Sequence, residues 1–277
     1  GGGGADGAGQ DGESAAGWGY VVFFFFGPID AGTDAGFDCG PCTWGCAPTA
    51  PRCAALIEIR AGGNHTCVRS ESGGVWCWGR NTSGELGDGS RVNRPRPTRV
   101  TGIVDAVQLA AGYSHTCARH ADGRLTCWGN GANGRLGLGD AAPSSVVVPT
   151  TVAGLEAAHV AAGLDATCAV TTSGEVRCWG NNANGQLGVD LATPALNEPT
   201  GVVPGVDARS VSVGTAHACA VTRTRGVVCW GRDVEGQVGN GPGDADPILG
   251  PARVALAGVV DVTAGAQHTC ARDDGGE

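Results

Sequence analysis

Gly112-Tyr113-Ser114-His115-Thr116-Cys117-Ala118, then Leu125-Thr126-Cys127-Trp128-Gly129, then Asn133-Gly134-Arg135-Leu136-Gly137 make up one copy of a repeat. Upstream, the same order stands at Gly62, His65-Thr66-Cys67, Cys77-Trp78-Gly79 and Gly84-Glu85-Leu86-Gly87. Downstream it returns at Gly163, Thr167-Cys168, Cys178-Trp179-Gly180 and Gly185-Gln186-Leu187-Gly188. A further copy holds Gly214, His217-Ala218-Cys219, Cys229-Trp230-Gly231 and Gly236-Gln237-Val238-Gly239, and another opens with Gly265 and His268-Thr269-Cys270. The leading cysteines, Cys67, Cys117, Cys168, Cys219 and Cys270, stand 50, 51, 51 and 51 residues apart. A fixed period in that range marks a propeller, solenoid or array.

Inside one period the pattern predicts four short strands. Residues 104–110, 157–162, 208–213 and 259–263 are β-branched or small and too short for helices. The second and third strands form a hairpin whose turn centres on Asp122, which implies a three-residue loop with glycine third, in the left-handed region. Gly73, Gly123, Gly174 and Gly276 fall there; the fourth copy has Arg225 followed by Gly226, and its turn is expected to differ. A last strand at 97–100, 149–152, 199–202 and 251–254 begins with proline each time, which suits an edge. The fold class is therefore all-β: four-stranded antiparallel propeller blades in an incomplete ring, four complete and part of a fifth. The blades are expected at about 56–105, 106–156, 157–207 and 208–258, with 259–277 partial.

This register places Cys117 opposite Cys127, within reach of a disulfide. The expected pairs are Cys67 with Cys77, Cys117 with Cys127, Cys168 with Cys178, and Cys219 with Cys229; free buried thiols are the alternative. Cys270 would find its partner at a position past Glu277, so the chain reads as a fragment.

The Gly-x-x-His-Thr-Cys-Ala, Cys-Trp-Gly-x-Asn and Gly-Gln-Leu-Gly elements resemble the repeat of the regulator of chromosome condensation family. The likeness covers about 56–277. It implies a seven-bladed propeller, for which this chain is two or three blades short. Secreted bacterial members of the family bind proteins without catalysis, whereas its eukaryotic founder is a nucleotide exchange factor for a small GTPase. Cysteines at disulfide spacing fit the secreted members better.

The chain has 50 glycines among 277 residues, no methionine, and a net charge of −9, of which −5 falls within 1–56. Residues 1–38, rich in Gly, Ala and Asp, read as a disordered linker. Such a leader resembles the start of a bacterial surface lipoprotein, whose lipid anchor would lie upstream of Gly1. The longest apolar run, 20–26, is too short to span a membrane, and it has no functional account. Within 39–55, Cys39, Cys42, Cys46 and Cys53 read as two disulfides of undecided connectivity, with zinc ligation as the alternative.

Candidate sites are then weighed by repetition, because a catalytic residue is needed once. His65, His115, His217 and His268 share one repeat position, with Ala166 breaking the series, and read as structural hydrogen-bonders. Trp78, Trp128, Trp179 and Trp230 follow the second cysteine directly, so they face the opposite side of the strand and read as interblade packing. His120 and His159 are unique, with no partner evident from sequence. Residues 129–134 match a dinucleotide fingerprint by chance, since no helix follows. Arg91, Arg94, Arg96 and Arg99 form the one basic cluster; a solvated loop explains it better than nucleic-acid binding.

The loops at 88–94, 138–148, 189–198 and 240–250 share little sequence. A binding surface is expected there, with Arg91, Arg94, Asp140, Asp190, Asn197 and Asp244 as candidates. The reading is a secreted or cell-surface, non-enzymatic scaffold for a protein or glycan, with no cofactor, metal, nucleic acid or membrane span. The alternatives are an exchange-factor-like regulator and an enzyme with one composite site across the blades.

Overall fold

The computed structural model describes residues 55–241 and 246–275. The expectations for 1–38, for the cysteines at 39, 42, 46 and 53, and for Asp244 and Gly276 lie outside the described residues. The first blade is β1 (Leu56–Ala61), β2 (His65–Ser70), β3 (Val75–Gly79) and β4 (Arg94–Arg99), hydrogen-bonded in that order. The second is β5 (Ala106–Ala111), β6 (His115–His120), β7 (Leu125–Asn130) and β8 (Ser145–Thr151). The third holds β9 (Ala157–Ala162), β10 (Ala166–Thr171) and β11 (Glu175–Asn181) and is completed by the start of β12 (Ala195–Val213). The rest of β12 opens the fourth blade, which continues with β13 (His217–Thr222), β14 (Val227–Gly231) and β15 (Ile248–Val254). β16 (Val259–Ala264) and β17 (Thr269–Asp273) pair as the start of a fifth. The sequence reading separates 199–202 from 208–213, but here both belong to β12 because the link between them stays extended.

All pairings are antiparallel, and the blades do not close into a ring. The proline-bearing strands are the outer ones, where a missing N–H costs no ladder bond. The first strand of each blade lies innermost, and backbone bonds tie successive blades there. Gly63 N–H donates to Tyr113 O at 3.1 Å, Tyr113 N–H to Gly163 O at 3.0 Å, and Leu164 N–H to Gly214 O at 3.2 Å. Gly62, Gly112, Gly163 and Gly214 permit that approach, since a Cβ on any of them would overlap the carbonyl of the next blade's glycine. The apolar core is a succession of layers between blades, one running from Val75 through Trp128 to Trp179, the next from Val176 to Trp230.

The hairpin behaves as its sequence requires. Cys117 pairs with Cys127, Arg119 with Leu125, and Gly123 closes the turn at φ 85°. All four expected disulfides are present, with Cα separations of 4.0–4.1 Å, as befits facing residues that exchange no backbone hydrogen bonds. Cys270 is free and exposed. The fourth turn corrects the expectation that it would differ: Cys219 still faces Cys229, and Arg225 itself adopts φ 63°. The chain keeps the three-residue loop and accepts about 1 kcal/mol of left-handed strain, because a shifted turn would misalign the disulfide.

Candidate functional site

The repeated polar residues meet at the seams between blades. His65 Nε2 lies 2.9 Å from Thr116 Oγ1 on the next blade. Thr116 donates its proton to the Glu85 carbonyl at 2.9 Å, so the imidazole must be the donor to Thr116, which fixes the Nε2–H tautomer. Trp128 Nε1–H reaches the same Glu85 carbonyl at 2.9 Å. One carbonyl in the Gly-x-Leu-Gly turn thus collects a tryptophan and a threonine from the neighbouring blade. The next seam repeats this with His115, Thr167, Trp179 and the Arg135 carbonyl. His217, Thr269 and the Gln237 carbonyl form the fourth.

These imidazoles hold no titratable function near neutrality. Burial lowers His65 and His217 to about 4, and His115, buried beside Arg135 and His65, to about 3. Trp128, Trp179 and Trp230 are fully buried; Trp78, with no blade described before it, is half-buried. His65, His115 and His217 thus bond across seams, as Trp128, Trp179 and Trp230 do, whereas His268 stands exposed on the last described strands.

The third seam departs in three places at once. Ala166 replaces the histidine and Ala218 the threonine that would receive it. Val213 stands where Ala111 and Ala162 stand, and its side chain packs against Gly163 as the imidazoles of His65 and His115 pack against Gly62 and Gly112. The polar relay is replaced by an apolar plug, and Trp230 still donates to the Gln186 carbonyl at 3.0 Å.

The unique histidines have partners that the sequence hides. His120 Nδ1–H donates to Asp105 at 2.6 Å, and its Nε2 lies 3.0 Å from Thr126 Oγ1. That is the order of a nucleophile, base and acid. Thr126, however, is buried, and its hydroxyl lies within reach of the Ala118 carbonyl at 3.5 Å. At the equivalent position Ser70, Thr171 and Thr222 accept turn N–H groups, so His120 is a local replacement for a hydroxyl that clips the turn. His159 lies on the innermost strand β9 and accepts from Val211 N–H at 3.4 Å.

The basic cluster is absorbed by local structure. Arg94, the first residue of β4, pairs with Asp88 at 2.8 Å; Arg99 stacks 4.6 Å from the Trp76 ring; Arg91 reaches Ser145 on the next blade. Hydrogen bonds from Asn81, Ser90 and Arg94 hold the Asp88 carboxyl below its usual range, although burial opposes them. Arg96 alone of the four stands exposed with no partner described for its side chain.

The loops between third and fourth strands share one face with the Gly62–His65 turns and lean on one another from blade to blade. A buried Asn clips those of the first and third blades from inside: Asn81 Nδ2 donates to Asp88, Ser90 O and Val92 O, and Asn182 Nδ2 to Asp190 O and Thr193 O. In the second blade that position is Gly131. There a cleft of about 190 Å³ opens, lined by Gly131, Leu138, Asp140, Ser144 and Asn197 among others. Asn197, on β12, donates to Asp140 at 2.6 Å across the rim. Arg135, buried and between the lining residues Gly134 and Leu136 in sequence, pairs with Asp165 of the third blade at 2.7 Å, where the other blades carry Glu85, Gln186 and Gln237. Of the sequence candidates, Asp140 and Asn197 meet at this cleft, Asp190 lies on the neighbouring loop, Arg94 is engaged within the first blade, and Arg91 bonds to Ser145 of the second.

A family model of the regulator of chromosome condensation (RCC1) repeat matches residues 72–119, 122–170 and 226–272. A second model of that repeat matches 57–85, 106–135, 157–186 and 208–237. The chain belongs to the RCC1 repeat family. Ultraviolet-B receptor UVR8 of Arabidopsis thaliana is 35% identical over 193 residues, covering 66% of this chain and 42% of the receptor. The probable E3 ubiquitin-protein ligase HERC3 of Homo sapiens is 39% identical over 223 residues, covering 76% of this chain and 21% of the ligase. This RCC1-repeat chain thus spans less than half of either relative. Among solved structures, yeast RCC1 (Prp20) bound to Kap60 superposes with a TM-score of 0.70 at 22% identity, over 80% of this chain and 54% of that one. Human WBSCR16 does so with a TM-score of 0.70 at 23% identity, over 79% and 57%. At such identities these structures show the fold, an RCC1-type β-propeller.

Proposed function

We propose that this RCC1-repeat chain is a non-catalytic scaffold that binds a protein, secreted or displayed at a cell surface. The observation that carries the reading is the division of labour within the repeat. The recurring His, Thr and Trp side chains are consumed by seams, while the residues that break the repeat, Gly131, Arg135, Asp140 and Asp165, gather at one face between the second and third blades. The cleft there holds about 190 Å³, below the few hundred Å³ of sites for small organic ligands, and suits a side chain presented by a protein. Four buried disulfides support an oxidising compartment. A protein ligand accords with the solved relatives, one of which is yeast RCC1 held by Kap60 and another a study of Prp20p binding to Gsp1p and histones.

The test is immobilised chain exposed to the extracellular fraction of its source, beside a variant whose loops at 138–144 and 189–194 are replaced by Gly-Ser of equal length. Retained disulfides and melting with loss of a captured protein is the expected result. Capture that survives loop replacement, or turnover of a substrate, would overturn the reading.

A further inference from the structure

Resting on the binding role proposed above, a narrower assignment of the partner follows from the chemistry of the cleft itself. Gly137 and Leu138 line that cleft and also a second one, whose lining includes Arg177 and Glu198, so this stretch is the wall between the two. Gly139 continues the wall, and a Cβ there would come within 3.0 Å of Glu198 Oε1. Two carboxylates therefore meet at one glycine: Asp140 follows it in sequence, and Glu198 lies against it.

The groups around these carboxylates leave them short of donors. The N–H groups of Gly131, Gly134, Gly137, Gly139 and Ala142, all in the lining of the first cleft, donate to carbonyls of the chain itself. Asn197 Nδ2 is the one donor that reaches Asp140, at Oδ1, among the described residues. Glu198 is exposed, and its carboxylate has no partner among the described residues. Arg177, the cation lining the second cleft, is held by Glu175 at 2.8 Å. An anionic group would find the backbone donors engaged, whereas a cation rich in N–H groups would find two carboxylates with accepting capacity to spare.

The other junctions are furnished differently. The register of the outer strands sets Val146, Leu196 and Ile248 opposite Gly129, Gly180 and Gly231. The next two residues are Val147 and Val148 on β8, and Leu249 and Gly250 on β15, but Asn197 and Glu198 on β12. In the loops of the first and third blades, Ser90 and Leu191 stand where Asp140 does. Of these three junctions, the one between the second and third blades alone places a carboxylate on both loop and strand.

We propose that this junction binds an arginine side chain of the partner protein, its aliphatic stem along Leu138 and its guanidinium between Asp140 and Glu198. The planar fork presents paired N–H donors to carboxylates on two sides, which a lysine ammonium cannot do.

A capped Gly-Arg-Gly tripeptide is the probe, compared with its counterpart carrying citrulline, the uncharged isostere of arginine, and the readout is amide NMR of the intact oxidised chain at low salt. Saturable shifts of the Leu138, Gly139 and Glu198 amides are expected, with Val148 and Leu249 unmoved. Citrulline should weaken binding about tenfold. Asp140→Asn and Glu198→Gln, both at exposed positions, should each weaken it severalfold with melting unchanged. Glu235→Gln removes the same charge from an exposed position on the fourth blade and should leave binding as it is. Citrulline binding equal to arginine, a loss as great in Glu235→Gln as in the junction variants, or shifts that are absent or centred elsewhere would each overturn the proposal. So would displacement of the peptide by calcium chloride where sodium chloride of equal ionic strength has no effect, since the acidic pair would then be a metal site. The capture experiment stays independent: loss of capture on loop replacement, with no binding of the tripeptide, would keep the binding face and discard the arginine.

Discussion

The apolar third seam makes the sharpest test of how the blades hold together. Ala166→His alone would place an imidazole where the Val213 side chain already packs against Gly163, and its Nε2–H would meet Ala218, which has no hydroxyl. Overpacking costs about 1–3 kcal/mol, and a buried unsatisfied donor about 1–3 kcal/mol. The single variant should therefore lose about 2–6 kcal/mol. Adding Ala218→Thr restores an acceptor, itself able to donate to the Gln186 carbonyl as Thr167 donates to Arg135 O, but leaves the steric conflict. Adding Val213→Ala removes the conflict. The triple variant should return to within about 1 kcal/mol of the parent, the scale on which one net hydrogen bond and one repacked site offset each other. Urea denaturation at neutral pH under non-reducing conditions, taken through all combinations, isolates the coupling. A neutral Ala166→His, or a triple variant as unstable as the sum of its singles, would refute the relay as the reason these residues change together.

Trp128→Ala should cost about 3–5 kcal/mol, and Trp78→Ala clearly less, because Trp78 is half-buried and has no carbonyl partner described; equal losses in the melting curves would contradict the seam account. The folded-state pKa values of His65, His115 and His217, about 3 to 4, lie below the unfolded value near 6.5, so the unfolded chain binds more protons in between. Stability should be full above pH 6.5 and fall as pH drops toward 4, by up to about 1.4 kcal/mol per pH unit for each imidazole, which a pH series of denaturation midpoints measures. Arg225→Gly should stabilise the fourth hairpin by up to about 1 kcal/mol by relieving the left-handed strain; a loss would mean that the side chain's pairing with Asp274 outweighs it.

Much of this was legible because the sequence aligns with itself. A period of 50 or 51 residues, the centring of the turn on Asp122 and the Cys–Trp adjacency fix the blade, the disulfides and the buried face of each tryptophan by strand geometry alone. Contacts across seams were not legible, since they join residues some 50 apart through a carbonyl, as Trp128 meets Glu85 O. For the same reason His120 and His159 looked partnerless: Asp105 sits in a linker and Val211 N–H on another blade. The error at Arg225 came from weighing local backbone preference above register, which the disulfide enforces.

The junction of the second and third blades tests whether departures from the repeat serve stability or binding. Arg135 is buried and pairs with a partly buried Asp165, and burial lowers its pKa while Asp165 raises it. Desolvation consumes most of what such a pair gains, so it is poor value as a stabiliser. Asp165→Ala should cost about 3 kcal/mol, because it leaves the buried charge with only the Ala132 and Leu164 carbonyls and the Ser114 hydroxyl for partners. Arg135→Gln with Asp165→Asn restores the residue type of Gln186 and Gln237 and should stay within about 1 kcal/mol of the parent. Capture of the protein partner by this double variant should nonetheless fall, since Arg135 stands between Gly134 and Leu136, which line the cleft that Asp140 and Asn197 rim. A double variant that binds as well as the parent would place recognition elsewhere on the loop face, and one that unfolds would make the ion pair a structural necessity after all.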